Sequence, residues 1–164
     1  MTIKIQRIVN IVTVLLPWLT LPILGLRNIK RFLPASILIG LLHILHAQYG
    51  KKQSWWVFYN KPKSFLFGDF PYHIGPFFTM SMWSLKWTYG NFKWFILLNG
   101  IGHAIYSYLI TYLARYFRYF TLVRINNFQL FLFFFSKAFL LYGFQYLFEK
   151  NIRQLRGCEE FHLK

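Results

Sequence analysis

One cationic side chain lies within the most apolar run of the sequence. The run FFFSKAFLLYG places Lys137 among phenylalanine and leucine residues. A charge in such surroundings costs between about 2.5 and more than 10 kcal/mol unless a partner compensates for it. Three outcomes are open: Lys137 reaches an interface along its aliphatic stem, it loses its proton because burial disfavours the charged form, or it meets an anionic ligand in a polar pocket.

Polar residues at helical spacing supply the material for such a pocket. One stripe recurs every four residues, which places its members on one helix face: Asn99, His103, Ser107 and Thr111. A comparable small and polar face contains His43. We therefore take Lys137, His103, Asn99 and His43 as candidate binding residues. The competing interpretation is that these stripes only hold helices together, through hydrogen bonds worth about 0.6 to 2 kcal/mol each.

The histidines also permit a haem hypothesis. His43 and His103 are predicted at similar depth on facing helices, and two such imidazoles can ligate one haem iron. No carboxylate accompanies them at that depth to orient a ligating histidine. A second group, His46 and His73 with Asp69, can come together near the N-terminal face. We predict no metal site and no cofactor, with haem as an alternative.

Catalytic machinery is missing from the sequence. It contains no G-x-S-x-G, P-loop, H-E-x-x-H or G-x-G-x-x-G pattern. Asp69 is the only acidic residue before Glu149, so the sequence has too few carboxylates for acid/base catalysis by a carboxylate pair. The single cysteine, Cys158, excludes an internal disulfide and a cysteine-based metal cage. We predict a protein without catalytic residues.

The composition is that of a membrane protein. Hydrophobic residues make up 56% of the chain and aromatic residues 23%, whereas charged residues are only 14%, against roughly 25% in soluble proteins. The net charge of +15 comes mostly from short basic clusters between apolar runs. This distribution fits anionic lipid headgroups at the ends of spans. The predicted partner is the lipid bilayer, and not nucleic acid.

Five apolar segments of about 20 residues predict membrane spans. They cover residues 8–26, 32–49, 70–89, 92–114 and 128–148, and a tail, 149–164, follows. Two segments between them mix basic and aromatic residues and are predicted to be interfacial. The sequence thus predicts a single integral membrane domain: an all-α, polytopic transmembrane helical bundle. Pro17 and Pro22 kink the first segment, and a four-span alternative has that segment lying flat on the membrane.

A series of local motifs resembles a known family. RFLP at Arg31, GDFP at Gly68, IGPF at Ile74, KWTYGNF at Lys86 and LLYGFQYLFE at Leu140 occur in that order. Over nearly the whole chain they resemble small multi-span membrane proteins of endospore-forming bacteria. The resemblance implies a multi-pass protein of the bacterial cytoplasmic membrane. It implies no catalytic or binding residues.

These observations leave three functional hypotheses. The leading one is a non-enzymatic accessory, sensing or assembly component that works with a membrane-protein partner or as a homo-oligomer. The alternative is a small transporter or solute-binding subunit with a polar pocket around Lys137, His103 and Asn99. The second alternative is a haem-binding redox subunit. The distribution of basic residues favours, by a small margin, an N-terminus in the cytoplasm.

Overall fold

The chain folds into five helical rods and one short β-ribbon. The computed structural model describes residues 3–59 and 68–162, with side chains as far as residue 154 except that of residue 153. Lys61, Lys63 and the side chain of Cys158, which the sequence assigns to interfacial and tail segments, lie outside this description. The elements follow in chain order: α1 Ile3–Leu19, α2 Leu21–Leu24, α3 Leu26–Lys52, β1 Trp56–Phe58, α4 Phe70–Tyr72, a π-helical stretch His73–Phe77, α5 Phe78–Thr88, α6 Phe92–Ala104, a second π-helical stretch Ile105–Ile110, α7 Thr111–Tyr116, β2 Phe120–Leu122 and α8 Asn127–His162.

The prediction of an all-α membrane bundle is confirmed. Within residues 3–59 and 68–162, four helices are long and apolar enough to cross a bilayer: Ile3–Leu24, Leu26–Lys52, Phe92–Tyr116 and Asn127–Ile152. They correspond to four of the five predicted spans. The remaining rod, residues 70–88, is not among the four, so a fifth span stays a prediction.

The rod of residues 70–88 runs along the inside of the bundle. Asp69, before its first turn, pairs with Lys51 at the last turn of α3, and Tyr89, after its last turn, packs on Phe32 near the beginning of α3. The rod is therefore antiparallel to α3 over most of its length. Because α1, α3 and α6 all pack against it, it needs less apolar surface than a helix that faces lipid.

The first rod, formed by α1 and α2, buries polar side chains and exposes apolar ones. Gln6 and Asn10 are its buried residues, each about 1% exposed, whereas Ile8 and Leu16 are each 61% exposed. A helix in water turns its apolar side inward, so this pattern fits a helix whose outer face meets lipid. The rod packs along residues 70–88, which disagrees with the four-span alternative in which it lies flat.

Both prolines interrupt the first rod, as the sequence predicts. α1 ends two residues after Pro17, and Pro22 lies in the short helix α2. The carbonyl of Pro17 accepts hydrogen bonds from the backbone N–H of Thr20 at 3.1 Å and from its hydroxyl at 2.6 Å. Polar groups at the break are thus satisfied locally, as they have to be where no water is present.

The two predicted interfacial segments pair with each other. Strands β1 and β2 are antiparallel, with Trp56 opposite Leu122 and Phe58 opposite Phe120. The sequence analysis did not predict this ribbon. We call the end of the bundle that carries the ribbon, Lys51 and Asp69 the ribbon end. The other end, which carries Gly25, Gly90 and Glu149, is the opposite end.

A close backbone approach joins α1 to the rod of residues 70–88, and it yields a prediction. A Cβ atom at Gly75 would meet the carbonyl oxygen of Thr13 and would lie 3.0 Å from the Cα of Val14. Because backbone atoms cannot rotate away, we expect Gly75→Ala to destabilise the protein by about 1 to 3 kcal/mol. The matched control is Gly102→Ala, where the added atom has nothing within 4 Å. Equal melting temperatures in detergent for the two variants would contradict this packing.

Candidate functional site

Lys137 lies inside the bundle and is hydrogen-bonded to a histidine. Its Nζ atom is 3.2 Å from Nδ1 of His43 on α3, and the two residues are 3% and 4% exposed. The position is about 15 Å from the beginning of α8, by the helical rise of 1.5 Å per residue. Lys137 therefore does not extend to an interface, and that alternative is wrong.

The phenylalanine run supplies the surroundings of the amine. Nζ lies 3.9 Å from the ring centroid of Phe133 and 4.8 Å from that of Phe134. Aromatic faces carry negative electrostatic potential and attract a cation at such distances. The phenylalanine rings around Lys137 therefore stabilise a positive charge on its amine. Among the described residues no carboxylate lies beside this amine.

The hydrogen bond between Lys137 and His43 limits their protonation. A protonated amine can only donate, so His43 then has to accept at Nδ1 with a lone pair. If His43 donates from Nδ1, the amine has to be neutral. In either arrangement one of the two nitrogen atoms has to accept with a lone pair, so the hydrogen-bonded pair carries at most one positive charge.

The other predicted site residues divide into two groups. The ring of His103 stacks on Phe134 with centroids 6.1 Å apart, and His103 interacts electrostatically with Lys137. Asn99 instead donates its side-chain N–H to the carbonyl of Phe95, 2.9 Å away on its own helix. The structure thus brings Lys137, His43 and His103 together around Phe134, while the amide donor of Asn99 is bound to α6.

The predicted stripe on α6 mostly serves its own helix. The hydroxyl of Thr111 donates to the carbonyl of Ser107, in the same way as Asn99 donates to Phe95. These side chains satisfy themselves within the rod rather than forming a pocket for a solute. Here the interpretation of the stripe as a packing face agrees with the geometry.

Asp69 and His73 form a second polar group nearer the ribbon end. Asp69 Oδ1 is 2.6 Å from Nζ of Lys51, and its Oδ2 is 3.8 Å from Nε2 of His73. The prediction that His73 and Asp69 come together is confirmed. His46, the third predicted member, packs instead on Phe133, with ring centroids 5.3 Å apart.

Stacked rings connect the two polar groups. The centroids of His73 and His43 are 5.7 Å apart with an interplanar angle of 28°. Phe77 lies against both rings, at 5.0 Å from His43 and 5.8 Å from His73. An uninterrupted series of titratable side chains thus leads from Lys51 through Asp69 and the two histidines to Lys137.

A small cavity lies beside His73 and Asp69. Its volume is about 20 Å³, and it is lined by the ribbon and by Asp69, Tyr72, His73 and Tyr106. This is room for about one water molecule. Among the described residues, neither ring nitrogen of His73 has a hydrogen-bond partner, nor does Oδ2 of Asp69. A water in the cavity would satisfy groups whose burial otherwise costs about 1 to 3 kcal/mol each.

The ionisation of Asp69 is set by opposing effects. Burial raises the pKa of Asp69, but the polar contacts with His73 and Lys51, together with their charges, lower that pKa by more. The result is a pKa below the ordinary value of an aspartate. Asp69 is therefore an ionised carboxylate at neutral pH, although the residue is only 7% exposed.

Glu149 of α8 lies at the opposite end of the bundle. Glu149 receives two hydrogen bonds from Arg31, Nε at 2.6 Å and Nη2 at 2.9 Å, and a third from Gln145 at 2.8 Å. Glu149 thus pairs across to α3, far from Lys137. The sequence analysis did not identify Arg31 as the partner of Glu149.

One local signal in the sequence was missed. The side-chain oxygen of Asn126 accepts from the N–H of Gln129 at 2.8 Å, and the side-chain oxygen of Gln129 accepts from the N–H of Asn126 at 3.0 Å. This is a capping box, which the pattern N-x-x-Q could have predicted. It explains why α8 begins at Asn127 and accounts for Gln129 without any role in a pocket.

Comparisons with known protein families, with characterised proteins and with solved structures find no match. The resemblance to proteins of endospore-forming bacteria therefore stays a prediction. Within the part of the chain that the structure describes, no three His, Cys, Asp or Glu side chains are grouped to hold a metal ion. The geometry itself assigns a buried Lys–His pair and an Asp–His pair that stacks on it.

The low pKa of Asp69 predicts acid sensitivity. A carboxylate with a depressed pKa contributes stability that is present above its unfolded pKa, about 3.9, and lost as pH falls through the folded value. We expect Asp69→Asn to lower the melting temperature at pH 7 and to reduce its decrease on acidification from pH 5 to pH 3. Because Lys51 is half exposed, the effect at pH 7 should be about 1 kcal/mol.

Two lysine variants provide the control for this prediction. Lys51→Met removes the partner of Asp69 and should give a similar loss at pH 7, whereas Lys52→Met removes an equal charge one residue away and should not. If both lysine variants melt alike, the ion pair does not contribute to stability.

Proposed function

We propose that this chain is a non-enzymatic sensing component of the bacterial cytoplasmic membrane, in which the Lys137–His43 pair is a proton-responsive switch. Four apolar helices make it an integral membrane protein. The observation that carries the proposal is the hydrogen bond of 3.2 Å between two buried bases on different helices. Ionisable groups at membrane depth are costly, and they are usually retained for a function.

The pair responds to protons because it cannot hold two charges. With both bases protonated, neither nitrogen atom can accept, and the hydrogen bond breaks. Two unit charges 3.2 Å apart repel by about 5 kcal/mol at an effective dielectric constant of 20. The pair joins α3 to α8, so a second proton pushes these two helices apart.

The groups that face the pair increase this response. His46 on α3, His73 on the rod of residues 70–88 and His103 on α6 all interact electrostatically with His43. A positive charge on any of them would raise the cost of a second charge on the pair, and among the three only His73 has a carboxylate, that of Asp69, within 4 Å in the described residues.

The solute-binding alternative requires more space than this region offers. Small-molecule pockets usually have volumes of about 300 to 1,000 Å³, whereas the cavity beside His73 has about 20 Å³. Lys137 already binds His43, and the amide donor of Asn99 is bound to its own helix. A proton-responsive switch needs the hydrogen bond between Lys137 and His43 to be present, whereas a transporter would have to break this bond before Lys137 could bind a solute.

Stability measured against pH tests the proposal. We expect the wild-type protein, in lipid nanodiscs, to melt at a lower temperature at pH 5 than at pH 8, because added protons break the pair. Lys137→Met removes one of the bases and should flatten this dependence. The control is Lys86→Met, which removes a half-buried lysine that donates to the carbonyl of Ile23 and should leave the dependence unchanged. Equal pH dependence in wild type and Lys137→Met would refute the switch.

A second variant separates a switch from simple packing. His43→Phe leaves Lys137 without its hydrogen-bond partner, and an unpaired buried charge costs about 3 to 5 kcal/mol. We therefore expect His43→Phe to be less stable than Lys137→Met, although it is the more conservative change in size. The opposite order would mean that the pair serves only to fill space. A Soret band in the purified protein would favour the haem alternative instead.

A further inference from the structure

We infer that the Lys137–His43 pair exchanges protons with water at the ribbon end only, along a route through Asp69 and His73. This inference rests on the proposed function and adds to it the path and the side of access. No part of it requires a ligand other than protons and water. It is carried by two observations: the series of titratable groups at the ribbon end, and the apolar core that fills the opposite half.

The outer end of the route is in contact with water. The side chain of Lys51 is 52% exposed, and that of Asp69, 2.6 Å away, is 11% exposed. Asp69 is at the beginning of its rod, and His73 follows one turn deeper. An ionised carboxylate at this position attracts protons from the surrounding water and delivers them beside a buried imidazole.

The middle of the route has unpaired groups that a proton carrier needs. His73 is 6% exposed, and both of its ring nitrogens lack a hydrogen-bond partner among the described residues. The cavity of about 20 Å³ touches both His73 and Asp69. One water there can bridge the 3.8 Å between Nε2 and Oδ2, a gap too long for a direct hydrogen bond.

The transfers along this route are balanced at each step. A hydronium ion gives a proton to the carboxylate of Asp69, which passes it through the cavity water to Nε2 of His73. The imidazolium releases its Nδ1 proton towards His43, whose stacked ring is 5.7 Å away between centroids. Because stacked rings do not point their nitrogen atoms at each other, this step requires a bridging water or a rotation of one ring. His43 takes the proton at Nε2 and gives its Nδ1 proton to the amine of Lys137. The net change is one proton moved from water to Nζ, with both histidines left as Nε2–H tautomers and the pair still hydrogen-bonded. A further proton on the pair is the one that breaks this bond.

The opposite half of the bundle offers no such route. Its centre is an apolar cluster: Leu24, Phe32, Ala35, Ile39, Met82, Leu85, Phe95, Ala138 and Leu141. The buried polar side chains described in this half are those of Ser36, Ser81, Ser84 and Gln145, and none of them is titratable. The hydroxyls of Ser81 and Ser84 nearby donate to carbonyls of their own helix. The next buried polar side chain of α8 towards this end is that of Gln145, about 12 Å from Lys137 along the helix.

The rate of proton uptake tests the route. The protein in nanodiscs, where both faces meet water, is mixed rapidly from pH 8 to pH 6 with a pH-indicator dye in weak buffer. The difference between wild type and Lys137→Met measures uptake by the pair. We expect Asp69→Asn and His73→Phe each to slow this uptake at least tenfold without changing its amount. Glu149→Gln, which removes the acid at the opposite end, should leave the rate unchanged.

The outcomes separate the route from the proposed function. No difference in uptake between wild type and Lys137→Met would refute the switch itself. A clear difference whose rate is the same in Asp69→Asn and in wild type would refute the route and leave the switch intact. If His73→Phe does not fold, Asp69→Asn alone decides between these results.

The side of access has its own test. Proteoliposomes that contain a trapped pH-sensitive dye report proton flow across the membrane. Because the apolar cluster closes the opposite half, we expect the wild-type protein to give no faster collapse of a pH gradient than empty vesicles. A protein-dependent proton leak that Lys137→Met abolishes would overturn one-sided access.

Discussion

Lipid offers no hydrogen-bond partner, so a polar side chain at membrane depth is stabilised when it turns towards partners inside the bundle. This constraint explains the inverted first helix, where Gln6 and Asn10 turn inward and Asn10 accepts a hydrogen bond from the hydroxyl of Tyr119 at 2.5 Å. It also explains the contact of Lys137 with His43. In water the same side chains would face outward and make no such contacts.

The same constraint accounts for the position of the least apolar rod. Residues 70–88 carry buried Thr79, Ser81 and Ser84, which would be costly against lipid. Surrounded by α1, α3 and α6, their hydroxyls donate to carbonyls of their own rod instead. The rod that sequence hydropathy recognises least well is thus one of the most enclosed, because enclosure removes the need for an apolar surface.

The interior is divided along the membrane normal. Towards the ribbon end it contains Asp69, the clustered histidines and Lys137. Towards the opposite end the buried polar side chains that the structure describes are serines and Gln145, and no buried titratable group precedes the Arg31–Glu149 pair. Such a division lets a buried base meet water from one side while the other side stays sealed. The ribbon covers the cavity beside His73, so proton entry depends on Asp69 and Lys51 rather than on an open channel.

The sequence alone determined that this is a membrane protein and where most of its helices lie, because an apolar run of about 20 residues can form little else than a membrane-spanning helix. It also singled out Lys137 and His43, since a charge in an apolar run is conspicuous without any structure. Only the tertiary structure decided which groups meet. The pairing of Lys137 with His43, of Asp69 with Lys51 and of the two strands joins residues more than 15 positions apart, and such contacts depend on how the helices pack, which periodicity along one helix does not specify.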